Sequence, residues 1–287
     1  MTISFWGLGM ALTRLAVRYF SAISLSFMRC FIASCTVAVV AVVTKMEPPK
    51  KEDIKLFLAA GAFGFFLYML GFNKGCETIP AATGSIILAT SPVVTAILAR
   101  VLYKEKLKAL QWIATFIEFS GVILITVMRG AFSANKGLLW LFLGIISVSV
   151  YNILQRKLTK TYSGMQACAY SIFAGTLMLA IFSPKAIQEV QSAPPIQLLY
   201  LLIMGVFSSA LAYITWAIAF KKAKIASSVS NYMFITPFIT STLSFFLAGE
   251  IPDMPTILGG SIILSGMLLF NFETKIRGLF QHKETAQ

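Results

Sequence analysis

Glu118 is the one carboxylate deep inside an apolar run of this 287-residue chain. Ionisable side chains are costly in an apolar medium, so an acid there is a functional hypothesis by default. It is the candidate for carrying a coupling proton. The alternative is a hydrogen-bonded packing or dimer contact. A second set of residues could bind rather than react: Trp6, Tyr68, Ser91, Tyr151, Asn152, Tyr213, Trp216, Asn231, Tyr232 and Thr236, all within apolar runs. Aromatic walls with a few polar groups suit a small amphipathic ligand. Against that, Tyr and Trp also form interfacial belts, and buried amides also tie helices together. Ser85 and Ser230 are small enough that helix packing is the expected role.

Groups for catalysis are missing. The only histidine, His282, is near the end of the chain, and Cys30, Cys35, Cys76 and Cys168 form no C-x-x-C pair. A structural zinc site needs about four clustered ligands. A membrane-embedded enzyme needs a paired acid and base or a nucleophile beside a base. No Walker A pattern occurs. No catalytic residue, metal or cofactor is expected, and the chain is not read as an enzyme.

Composition sets the surroundings of these residues. Hydrophobic residues make up 57% of the chain and charged ones 12%, against about 25% charged in a soluble domain. The pattern excludes an ordinary soluble enzyme, a disordered chain and a fibre. The net charge of +13 comes from Lys and Arg scattered between apolar runs. That is a membrane-topology pattern rather than a nucleic-acid footprint, so no nucleic-acid partner is expected. Arg14 and Arg18 follow the first run and no basic region precedes it, unlike a cleavable signal peptide.

A helix needs about 20 apolar residues to cross the hydrocarbon core. Ten such runs are legible, at about 2–18, 24–44, 54–74, 80–102, 109–129, 137–155, 164–183, 196–219, 225–248 and 254–273. The first begins so early that its helix is expected to be short. With the N-terminus inside, cytoplasmic segments hold 17 Lys and Arg and outside segments hold 7. This bias predicts an inner or plasma membrane protein with both termini cytoplasmic. Arg29 is expected to snorkel to the outer interface, or alternatively to meet a substrate carboxylate. Asn73 is expected at the outer end of its helix, in water. The Lys221, Lys222 and Lys224 cluster, and Lys275 with Arg277, could contact anionic lipid.

Shifting the chain by 145 residues aligns its halves. Ser26 falls on Ser171, Tyr68 on Tyr213, Pro92 on Pro237, Glu105 on Glu250 and Gly121 on Gly266; Trp6 falls on Tyr151. Five helices per copy is an odd number, so the second copy is inverted. The expected fold is an all-α membrane protein, ten transmembrane helices as two inverted five-helix repeats. Residues 1–129 form the first repeat, 137–273 the second, and 274–287 a basic cytoplasmic tail. Inverted repeats place a site near the bilayer midplane at their interface. Pro92 and Pro237 interrupt backbone bonding in the fourth and ninth helices and are read as hinges.

The segment Glu77–Leu107, ETIPAATGSIILATSPVVTAILARVLYKEKL, resembles the EamA family of the drug/metabolite transporter superfamily. Ala226–Glu250 repeats its pattern of small residues, a mid-helix Pro and a closing Glu. Phe5-Trp6-Gly7 and Arg29 also look like that family; the short start of the first helix departs from it. The resemblance covers about residues 5–273. It implies a ten-helix transporter whose central cavity is lined by helices 1, 3, 4, 6, 8 and 9, with helices 5 and 10 peripheral. It also implies export of a small organic metabolite, an amino acid or similar, by alternating access. Alternatives are a sugar-phosphate or nucleotide-sugar exchanger and a non-transporting scaffold or sensor. Glu105 and Glu250 are read as structural, capping helices or pairing with nearby Lys. Small-residue spacing such as Ser261 with Ser265 permits a homodimer.

Overall fold

Apolar runs fold as helices because the bilayer core offers the backbone no water, so each span must bond to itself. The computed structural model describes residues 1–103, 109–128, 136–222, 233 and 236–284, and among these the chain is helical, without strands. Helix α1 is Thr2–Ala16, α2 Ala22–Val43 and α3 Lys51–Thr78. Helix α4 is Ala81–Leu102, α5 Ala109–Met128, α6 Lys136–Leu158 and α7 Gly164–Gln191. Helix α8 is Pro195–Ala219, α9 Thr236–Ala248 and α10 Met254–Glu284. Among the described residues, α2, α3, α4, α6, α7 and α8 are long and apolar enough to cross a membrane; Thr236–Ala248 and Met254–Phe270 are shorter apolar helices. Large apolar side chains point outward, with Val42 78%, Leu177 73% and Phe246 76% exposed. A water-facing surface of that kind would aggregate. It is the lipid-facing surface of a multi-pass integral membrane protein.

Local signals set the helix ends. Ser21 accepts the Ser24 N–H at 3.4 Å and caps α2. Ser163 and Gln166 form a reciprocal capping box at the start of α7. Gly249 ends α9 at φ +65°, a backbone region that favours glycine. Helix α10 runs on to Glu284, past residue 273, where the sequence reading begins a tail. As expected, α1 is short, at 15 residues.

Two helices are interrupted by wider turns. Ala62–Leu67 within α3 and Met204–Leu211 within α8 are π-helical. Such segments inside α-helices are frequent at functional sites. Helix α4 breaks differently: it stops at Leu88, turns through Ala89 and Thr90, and resumes as Ser91–Tyr103. Pro92 is the second residue of the resumed piece, in its first turn; Pro237 follows Thr236, where the described part of α9 begins. A first turn has no use for the missing N–H, so proline is tolerated there.

The helices pack in a crossed arrangement. Helix α1 packs on α9 and α6 on the second piece of α4; α2 packs on the π segment of α8 and α3 on α7; α5 packs along α10. The last crossing is close because of two glycines. A Cβ on Gly121 would lie 2.7 Å from the Gly259 carbonyl oxygen and from Ile263 Cγ1. One on Gly266 would lie 2.8 Å from the Ala114 carbonyl oxygen and 2.7 Å from Glu118 Cγ. Residues 114, 118 and 121 are the 145-residue counterparts of 259, 263 and 266. The two contacts are therefore the same contact viewed from either helix.

Candidate functional site

Polar side chains on these helices first satisfy their own backbone. Ser26 donates to the Ala22 carbonyl and Ser171 to the Ala167 carbonyl, both at 2.7 Å. Arg29 of α2 cannot do this, and it does not reach the interface either. It is only 4% exposed. Its Nε donates to Ser209 Oγ at 3.3 Å, and its Nη1 donates to Thr13 Oγ1 at 3.0 Å and to Asn73 Oδ1 at 3.4 Å. The guanidinium carbon lies 5.5 Å from the centre of the Phe72 ring, within cation–π range. Among the described residues no carboxylate pairs with it, and Nη2 has no acceptor. Asn73 is fully buried and donates to Ser26 Oγ at 2.8 Å. Both residues depart from the sequence reading, which set them at a helix end. Neighbouring helices supply the acceptors that water would otherwise provide.

Arg29 lines a cavity between the helices with about 490 Å³ of empty space, counting the part open to solvent. Trp6, Tyr68, Phe72 and Tyr213 supply aromatic wall. Trp6 meets Tyr213 edge-on at 5.4 Å, and Tyr68 stacks on Phe72 at 5.9 Å. Tyr68 directly follows the π segment of α3, and Tyr213 comes two residues after that of α8. Ser85 and Leu88 come from the first piece of α4 and Ala89 from the turn after it; Met233 and Thr236 come from the second half of the sequence. Two wall pairs, Tyr68 with Tyr213 and Leu88 with Met233, are 145-residue counterparts. Trp6 Nε1 and Thr236 Oγ1 are buried with no partner among the described residues.

Other sequence candidates sit outside the lining. Tyr151 is 1% exposed and stands behind the wall, against Phe65 at 5.5 Å and Tyr213 at 6.0 Å, with Gln155 Nε2 donating to its hydroxyl at 2.6 Å. Trp216 packs on Trp6 at 4.9 Å. Ser91 is buried, and its carbonyl accepts from Ser149 Oγ at 3.1 Å. Asn152 donates to Thr95 Oγ1 at 3.5 Å. Asn231, Tyr232, Ser230 and Glu105 lie outside the described residues. Ser85, read as packing, is in the wall. Sequence reasoning missed Met10, Phe72, Leu88, Ala89, Ser208 and Met233, which carry no signal beyond apolar or small character. Arg29, read from the sequence as an interface residue with a substrate carboxylate as the alternative, is in the wall.

Glu118 lies apart from this cavity. It is 1% exposed, and neither carboxyl oxygen has a partner among the described residues. It lines a small pocket with Phe119, with Thr90 in the break of α4 and with Val93 just after it.

A membrane-embedded helical bundle around a polar-tipped aromatic cavity defines a solute-handling membrane protein. The comparisons agree. The family model described as the EamA-like transporter family matches residues 1–127 and again 135–272. The chain belongs to the EamA-like transporter family. It is 27% identical to the uncharacterized transporter YdfC of Bacillus subtilis, over 93% of this chain and 87% of the relative. It is 26% identical to a probable terminal-alkyne amino-acid exporter of Streptantibioticus cattleyicolor, over 96% and 92%. It is 25% identical to an S-adenosylmethionine uptake transporter of Rickettsia bellii, over 73% and 70%. A solved crystal structure superposes with a TM-score of 0.68 over 96% of each chain at 14% identity, a likeness of fold.

Proposed function

We propose that this chain is a secondary transporter that exports a small organic metabolite, an amino acid or similar, by alternating access. Its transport of small molecules follows from its family; the substrate class and the outward direction are the proposal. The observation that carries it is the cavity lined by α1, α2, α3, α4, α8 and α9 and walled by counterpart residues of both halves. Inverted repeats allow one site to open to either side by rocking. The repeat reading, with halves at 1–129 and 137–273, is supported by the double match of the family model. The Gly121 and Gly266 contacts and the two π segments support it as well. The positive-charge bias supports cytoplasmic termini. The substrates in two relatives' names, an amino acid and S-adenosylmethionine, are small metabolites bearing an amino-acid group.

In this reading the break in α4 and the start of α9 flex at Pro92 and Pro237. Glu118, beside the α4 break, carries the coupling proton. The test is efflux from cells overexpressing the chain, over a panel of amino acids and related metabolites. A Pro92→Ala/Pro237→Ala double variant that still inserts serves as the control. Outward accumulation of one compound, lost in the variant, is expected. Accumulation inside the cells would reverse the direction. Absence of flux either way, with the protein in the membrane, would overturn the reading.

A further inference from the structure

We propose that Arg29 is the docking point for a carboxylate, so that the transported metabolite carries a single negative group at one end and an apolar body. The assignment deepens the transporter reading and rests on it.

Arginine stays protonated in proteins, and Arg29 is 4% exposed among membrane helices. A buried cation is stable when an anion and hydrogen bonds compensate it. The three bonds it makes go to neutral oxygens on Ser209, Thr13 and Asn73. Those acceptors orient the guanidinium without cancelling its charge. They use Nε and Nη1 and leave Nη2 without an acceptor among the described residues. The N–H groups of Nη2 are therefore left to donate to a carboxylate oxygen of a bound molecule.

The rest of the wall fits the same molecule. Arg29 is the only charged residue among the described residues that line the cavity. Trp6, Tyr68, Phe72 and Tyr213 suit an apolar body, and their ring faces can also accept an ammonium. A cationic or neutral metabolite leaves Arg29 uncompensated. A phosphate dianion finds one cation where it needs more. The cavity therefore selects a monocarboxylate or a zwitterion.

The probes are L-alanine, L-leucine and L-phenylalanine, each with its deaminated acid (propanoate, 4-methylpentanoate, 3-phenylpropanoate) and its decarboxylated amine. Inorganic phosphate and glucose 6-phosphate form a separate arm. Binding is read on the purified full chain by thermal stabilisation, and flux in proteoliposomes. In the wild type, acids or amino acids of at least one size bind and the matching amine does not. Arg29→Gln loses about tenfold or more in affinity for them, and Arg29→Lys keeps part of it. Equal binding of amine and acid overturns the proposal, as does unchanged acid binding by a folded Arg29→Gln protein. Binding of phosphates alone, or of no carboxylate by folded wild type, overturns it too. If Arg29→Gln does not fold, the acid-to-amine comparison on the wild type decides. Flux of amines without flux of acids sinks the carboxylate site and leaves the transporter. Bound acids that never cross sink the transporter reading and leave the site.

Discussion

Arg14, at the last turn of α1, donates from Nε to Oε1 of Glu250, just past the end of α9, at 2.7 Å. Its Nη1 reaches the Cys76 carbonyl at 2.8 Å and the Glu77 carbonyl at 3.1 Å, while Glu250 Oε2 accepts the Ala81 N–H at 3.0 Å. One ion pair thus ties the ends of α1, α3 and α9 to the start of α4, on one side of the cavity. Glu250 both caps a helix and pairs with a cation; the sequence reading offered these as alternatives, with Lys as the partner.

Such a knot joins four helix ends, and breaking it should loosen them. Hydrogen bonds to charged groups are worth about 1.5–3 kcal/mol each. Cys76, free and 1% exposed, is a built-in reporter. With Cys30, Cys35 and Cys168 replaced by Ala, Glu250→Gln is expected to speed maleimide labelling of Cys76 by about tenfold, the factor set by losing about 1.4 kcal/mol. An unchanged labelling rate would mean that apolar packing alone holds these ends together.

The α5–α10 crossing gives a packing prediction. Gly121→Val places carbon against the Gly259 carbonyl, which cannot move without its helix. Overpacking of this kind costs about 1–3 kcal/mol, so a lowered Tm in detergent is expected. Gly84→Ala is the control, since a Cβ there meets its nearest atom at 3.9 Å. Equal Tm values for both variants would mean that the crossing is looser than the structure has it.

Much of this architecture is legible in the sequence, since apolar length and turn residues are local properties. The 145-residue offset also singled out Tyr68 and Tyr213, which do face the cavity. It served Trp6 less well: its counterpart Tyr151 stands behind Phe65 and Tyr213. An offset carries position along a helix, whereas depth in the wall depends on how each helix is rolled against its neighbours. Arg29 and Asn73 were misplaced for a related reason. Their partners Thr13, Ser26 and Ser209 come from other helices, and no single run shows that they will meet.

Outside the spans, Tyr162 gives a pH prediction. Its hydroxyl donates to Asp53 Oδ2 at 2.6 Å and accepts the Lys50 N–H at 3.0 Å, joining the loop before α3 to the loop before α7. Burial, and then the hydrogen bond to the Asp53 carboxylate, raises the phenol above the ordinary tyrosine value. The folded state thus favours the protonated phenol. The resulting stability is complete below the unfolded tyrosine pKa of about 10 and is lost as pH climbs through the folded value. Thermal melts from pH 8 to 11 should show the wild type losing stability more steeply than Tyr162→Phe. Parallel curves would remove Tyr162 from the account of alkaline stability.

Glu118 separates a structural acid from a coupling one. Its two buried oxygens have no donor among the described residues, and the pocket it shares with Thr90 and Val93 adjoins the α4 break. An uncompensated charge there costs several kcal/mol, so proton occupancy at this site is coupled to how α4 and α5 sit together. Glu118→Gln keeps the shape and removes the titration. In proteoliposomes loaded with substrate, wild-type flux is expected to rise when a pH gradient is imposed. Glu118→Gln should retain counterflow exchange, which needs no driving ion, and lose the response to the gradient. A packing acid behaves differently: its removal changes Tm and both kinds of flux together and leaves the gradient response in place. The ratio of gradient-driven flux to counterflow is therefore the quantity to measure, because loss of folded protein cancels from it.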